Sequence, residues 1–147
     1  MWYFVGLRCA NPAQIPDKIG AMIDILKTQL TDYPDLELLV LIGSRARGAA
    51  TAQSDWDFAL RWVDDGASFM DNLARTETLR VALARLLSVA PEQVDLVQLT
   101  GAGLAMRAAV AEEGIPIKGE DSLPWFHFLS RTWRELEDWY WEADHAA

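Results

Sequence analysis

A chain with a single cysteine, Cys9, can close no internal disulfide. Neither Cys9 nor the two separated histidines, His127 and His145, stands at metal-ligand spacing from another such residue, so none is assigned chemistry. A reducing cytoplasm is the expected setting. No apolar stretch reaches the roughly 18 residues of a membrane-spanning helix. The opening MWYFVGLRCANP has only a short apolar run with no basic residue before it, which predicts neither secretion nor membrane insertion. Basic residues are few, 13 against 22 acidic ones, and the formal charge of -9 opposes nucleic-acid binding while suiting a basic protein partner. Two familiar motifs are missing as well. Without Gly-any-Ser-any-Gly there is no serine-hydrolase elbow, and without Gly-Lys-Ser/Thr there is no P-loop.

What is present reads as a single domain spanning residues 1–147, long enough to bury a core without staples. PDKIGAMIDILKTQL carries Ile19, Met22, Ile23, Leu26 and Leu30 at helical spacing, with Pro16 and Asp17 suited to a first turn. LELLVLI, Leu36 to Ile42, is a short apolar run closed by Gly43 and predicts a buried strand. DWDFALRW alternates, with Trp56, Phe58, Leu60 and Trp62 on one face and Asp55, Asp57, Ala59 and Arg61 on the other. A helix with Leu79, Leu83, Leu86 and Leu87 on one stripe follows from about Ala67 to Ser88, then a strand in QVDLVQL. GLAMRAAVAEEG predicts a helix, IPIKG an edge strand because Pro116 cannot donate to a central ladder, and Leu123 onward a final helix. The fold class is α/β (α+β), a small mixed β-sheet flanked by helices.

Chemistry gathers in GSRARGAATAQSDWDFAL. Side chains two apart on a strand point the same way, so Asp55 and Asp57 project together and repel unless solvent or a cation lies between them. Hard oxygen donors select Mg²⁺ or Mn²⁺. Asp95, in VDLVQL, is a third carboxylate in an otherwise apolar strand and needs compensation, whether by metal or by an arginine such as Arg61. With the two strands side by side in register, the three would hold two metal ions about 4 Å apart for phosphoryl or nucleotidyl transfer. Gly43 lets backbone approach a ligand, the turn after it offers free N–H groups, and Ser44, Arg45 and Arg47 stand ready for phosphate oxygens. Ser44 has a plainer alternative as a helix cap, and the arginines as surface residues.

These residues, with VDLVQL and IPIKGED, resemble the polymerase beta-like nucleotidyltransferase superfamily, and within it the minimal nucleotidyltransferases, antitoxin partners of HEPN-domain ribonuclease toxins. The resemblance runs from about Leu36 to Gly119 and implies the polymerase beta-like nucleotidyltransferase fold. It implies that Gly43 and Ser44 bind the phosphates of ATP, that Asp55 and Asp57 ligate two Mg²⁺ ions, and that Asp95 completes the catalytic metal and helps activate the attacking hydroxyl. In the antitoxin branch that hydroxyl is a tyrosine on the toxin, which is adenylylated and silenced. Trp56 departs from the smaller aliphatic residue usual between the two aspartates. Two other expectations stay open: an antitoxin that acts by occlusion without catalysis, and transfer to a small molecule such as an aminoglycoside.

Residues 122–147 form an aromatic-rich tail, expected to be a helix used for partner contact. Phe126, Leu129, Trp133, Leu136 and Tyr140 make one stripe able to dock on the core, leaving Trp125, Phe128, Trp139 and Trp141 for an interface.

Overall fold

The structure is a computed structural model that describes residues 17–146. The N-terminal aromatic run, Cys9 and Pro16 lie outside the described residues. Five helices and four strands follow in the order α1 (Asp17–Gln29), β1 (Leu36–Ile42), α2 (Gly43–Ala46), β2 (Trp56–Trp62), α3 (Phe69–Leu87), β3 (Val94–Gln98), α4 (Leu104–Glu113), β4 (Ile115–Lys118) and α5 (Leu123–His145). This is the expected mixed α/β class, element by element.

The strands form one sheet in the order β3-β2-β1-β4. Antiparallel pairing joins β1 to both β2 and β4, whereas β2 and β3 run parallel and are joined through the long helix α3, the kind of crossover that parallel neighbours need. Pro116 sits in β4 at one edge, where its missing N–H removes no central ladder bond.

Helices cover both faces of the sheet. On one, Leu39, Leu41, Phe58 and Leu60 pack with Ile23 and Leu26 of α1 and with Leu79, Leu83 and Leu87 of α3. On the other, Leu38, Val40 and Ala59 pack with Val110 of α4 and with Trp125, Phe128 and Leu129 of α5. Fully burying one such large side chain stabilises by roughly 1.5–3 kcal/mol, so these two layers hold the sheet in place. A register shift between Leu36 and Leu38 puts Leu36 on the same face as Leu39. The polar face expected of β2 is therefore polar only at its ends: Ala59 is completely buried, and Asp57 and Arg61 flank it.

The final helix forms as expected, but turned about its axis. Trp125, Phe128, Leu129 and Thr132 are the buried residues, Trp133 packs beside them, and Phe126 and Tyr140 point to solvent at 52% and 59% exposure. Trp125 and Phe128, expected to lack a partner, stack on each other with ring centres 5.4 Å apart against the sheet. Trp139 and Trp141 are exposed, as expected.

Candidate functional site

The carboxyl end of β1 meets the amino end of β2, with Ile42 opposite Asp57. Gly43 then turns the chain with φ +74°, a left-handed conformation that favours glycine. A Cβ built there would lie 2.4 Å from Asp57 Oδ2. The lack of a side chain at position 43 is thus what admits the Asp57 carboxylate. The single turn of α2 follows, its Arg47 N–H donating to the Gly43 carbonyl at 3.1 Å. Amides in a first helical turn have no partner within the helix, which leaves those at the start of α2 available to a ligand. No side chain caps α2, so the capping role open to Ser44 is not the one it takes.

Asp57 pairs in register with Asp95 of the parallel strand β3, which puts both on the same face. Asp55 lies one residue before β2 and is exposed, Asp57 is half-buried, and the Asp95 side chain is 62% exposed. Burial, then the charges of Asp95 and Asp55, push the Asp57 carboxyl above its ordinary value of 3.8, and Arg47 and Arg45 only partly oppose this. A site that raises a carboxyl in this way has negative charge to spare and favours a cation. The three side chains are not drawn into a closed cage: among the described residues no three His, Cys, Asp or Glu gather as a metal cluster. Their donor type suits a hard divalent ion, and the exposed side chains of Asp55 and Asp95 leave carboxylate oxygens open to it.

Compensation of Asp95 differs from the expectation. Arg61 pairs with Glu37 at 2.9 Å, at the far end of β2. The cation near Asp95 is Arg80 of α3, at 4.0 Å, which Glu77 holds at 3.1 Å and which also donates to the Val94 carbonyl. Because β3 is an edge strand, Asp95 stays in solvent instead of being buried.

The two arginines expected to meet phosphate separate. Arg45 is engaged within the chain: its guanidinium lies 4.2 Å over the Trp56 ring and donates to the carbonyls of Ser54, at 2.7 Å, and Thr51, at 3.4 Å. It braces the loop that delivers Asp55 and Asp57. Trp56, buried between those aspartates and stacked toward Phe58, is its platform. Arg47 is exposed and pairs with Glu113 at 3.3 Å. Arg80 and the Trp56 platform were not legible in the sequence, since both act across the fold and carry no local spacing signal.

Among the described residues no helix is long and apolar enough to cross a membrane. A curated relative, the protein adenylyltransferase MntA of Aphanizomenon flos-aquae, is 29% identical over 103 residues, covering 67% of this chain and 69% of the relative. A chain of a solved toxin–antitoxin MntA–HepT complex is 26% identical with a TM-score of 0.55, covering 86% of this chain and 92% of that one. A chain from the complex of tri-AMPylated Shewanella oneidensis HEPN toxin with MNT antitoxin shares the fold, at 24% identity and a TM-score of 0.56, over 84% of this chain and 92% of that one. The family model for polymerase beta nucleotidyltransferases matches residues 24–123, which hold the glycine turn and all three aspartates. The chain belongs to the polymerase beta nucleotidyltransferase family.

Proposed function

We propose that this chain is an antitoxin that transfers AMP from ATP to a hydroxyl group, a tyrosine, of a cognate HEPN-domain toxin and so neutralises it. The observation that carries the reading is the in-register pair Asp57 and Asp95 beside a glycine turn shaped around Asp57. Family membership supplies the reaction class, and the curated adenylyltransferase and the MntA–HepT toxin–antitoxin complex support a protein acceptor.

In this reading the amides after Gly43 and the Ser44 hydroxyl bind the triphosphate, and the exposed Arg47 screens its outer charge. Asp55, Asp57 and Asp95 would hold two Mg²⁺ ions, which neutralise phosphate charge and lower the pKa of the attacking hydroxyl when bound. The acceptor oxygen attacks the α-phosphorus, its proton passing toward Asp95. A new P–O bond forms, the bond from the α-phosphorus to the bridging oxygen breaks, and pyrophosphate leaves. Arg45 keeps the aspartate loop in place. The exposed Trp139, Tyr140 and Trp141 of α5, together with the acidic surface, form the toxin-binding face.

The test is intact-mass analysis of both chains after incubation with ATP, Mg²⁺ and the co-purifying partner. An AMP increment on the partner, lost in Asp57→Asn, is the expected result. Neutralisation that persists in Asp57→Asn without any increment would replace this reading with occlusion.

A further inference from the structure

At the end of the sheet away from the carboxylates, a cavity of about 540 Å³ opens between the β3–α4 connection and the first half of α5. Arg61 of β2, Arg107 of α4, and His127 and Arg131 of α5 line it, together with the apolar side chains of Leu99 and Phe128. Arg61 lies four residues beyond Asp57 on the same strand, so about 13 Å of backbone separates the two regions. In a chain with only 13 basic residues, three guanidiniums at one cavity are a concentration of charge.

The carboxylates at hand do not match them. Glu135 alone serves both Arg107, at 2.6 Å, and Arg131, at 3.0 Å, and Glu37 serves Arg61 at 2.9 Å. Three positive groups thus face two negative ones. Behind the cavity wall, Oγ1 of Thr132 and Nη1 of Arg107 are closed to water and have no hydrogen-bond partner among the described residues, while the guanidiniums of Arg61 and Arg131 remain accessible. A guanidinium fork matches the two oxygens of a carboxylate or phosphate. The volume is that of a small-molecule site, and its apolar wall suits an apolar body.

We infer that this cavity is a second ligand site, for a small organic anion with an aromatic or apolar body and one phosphate or carboxylate group, held apart from the nucleotidyl-transfer site. Arg61 and Arg131, the two more exposed guanidiniums of the lining, are the groups the anion meets.

Titration of the ¹⁵N-labelled full chain with phenyl phosphate, benzoate and phenol, followed by NMR, tests this. Saturable shifts of the Thr100, Gly101 and Ala102 amides are expected with phenyl phosphate or benzoate, the tighter of the two identifying the anionic group. Phenol, lacking the charge, binds about tenfold more weakly or worse. Arg131→Gln, at a side chain 77% exposed and so safe for folding, weakens the anion by about tenfold. Glu135→Gln frees both guanidiniums and tightens binding, a gain that a purely structural Glu135 would not give. Excess ATP and the Asp57→Asn variant leave the shifts unchanged. Equal binding of phenol, no shift with either anion, or displacement by ATP would each overturn the proposal, the last by making the cavity part of the nucleotide site.

Discussion

Gly43→Ala tests the site with a single methyl group. Its Cβ would fall 2.4 Å from Asp57 Oδ2, so the carboxylate must move. A displacement of that order near the reacting atoms costs about 100-fold in rate, and the left-handed φ of +74° adds about 1–2 kcal/mol of strain. The expected outcome is AMP incorporation down by two orders of magnitude or more with an unchanged circular dichroism spectrum and a slightly lower Tm. Near-normal incorporation would mean that Asp57 is not at the reaction centre. At this scale the sequence is informative wherever a side chain's direction follows from local period, as for Trp56, Phe58, Leu60 and Trp62, which share one buried face. It is silent where a residue is captured by a tertiary neighbour. Arg45 could meet phosphate as well as any arginine on a turn, and only the fold reveals that Trp56 and the Ser54 carbonyl hold it.

Among the elements, α3 is tied down at its start by a capping box in which the Ser68 Oγ accepts from the Asp71 N–H at 3.1 Å and Asp71 Oδ2 accepts from the Ser68 N–H at 3.1 Å. The hydroxyl of Ser68, donating at 2.7 Å, and its amide hold the Asp71 carboxyl below its ordinary value of 3.8. A carboxyl depressed in the folded state contributes stability that is complete above its unfolded value and fades as pH falls through the folded one. Thermal melts from neutral to strongly acidic pH should therefore show a loss that Asp71→Asn flattens by removing the advantage at neutral pH. Ser68→Ala should cost about 1 kcal/mol at neutral pH. For α5 the helix itself was legible but its buried face was not, because aromatic residues surround it and two stripes compete. The stack of Trp125 on Phe128 against Leu38 and Val40 decides the matter. Beyond Glu137 every described residue is exposed, so ending the chain there should leave Tm nearly unchanged while abolishing capture of the proposed partner. A truncated chain that still binds its partner as tightly would place the interface elsewhere.

For the molecule as a whole, a charge of -9 makes association with a basic partner an electrostatic matter. Raising ionic strength from 0.01 M to 1 M shortens the Debye length from about 30 Å to about 3 Å, and the association rate measured by stopped flow should fall by about tenfold or more. A rate indifferent to salt would assign recognition to the aromatic residues alone. The order of elements was legible from period, length and punctuation, and the sheet topology was not, since strand pairing depends on contacts far apart in sequence. That difference bears on how the chain acquires its activity. The antiparallel pair β1 and β2 closes over a short connection, whereas β2 and β3 meet only after the chain has passed through the whole of α3. Contacts of long sequence separation form late because loop closure must come first. A refolding chain should regain amide protection across β1 and β2 before the edge strand β3 docks, and so pass through a compact state that holds two of its aspartates near each other and still lacks the third.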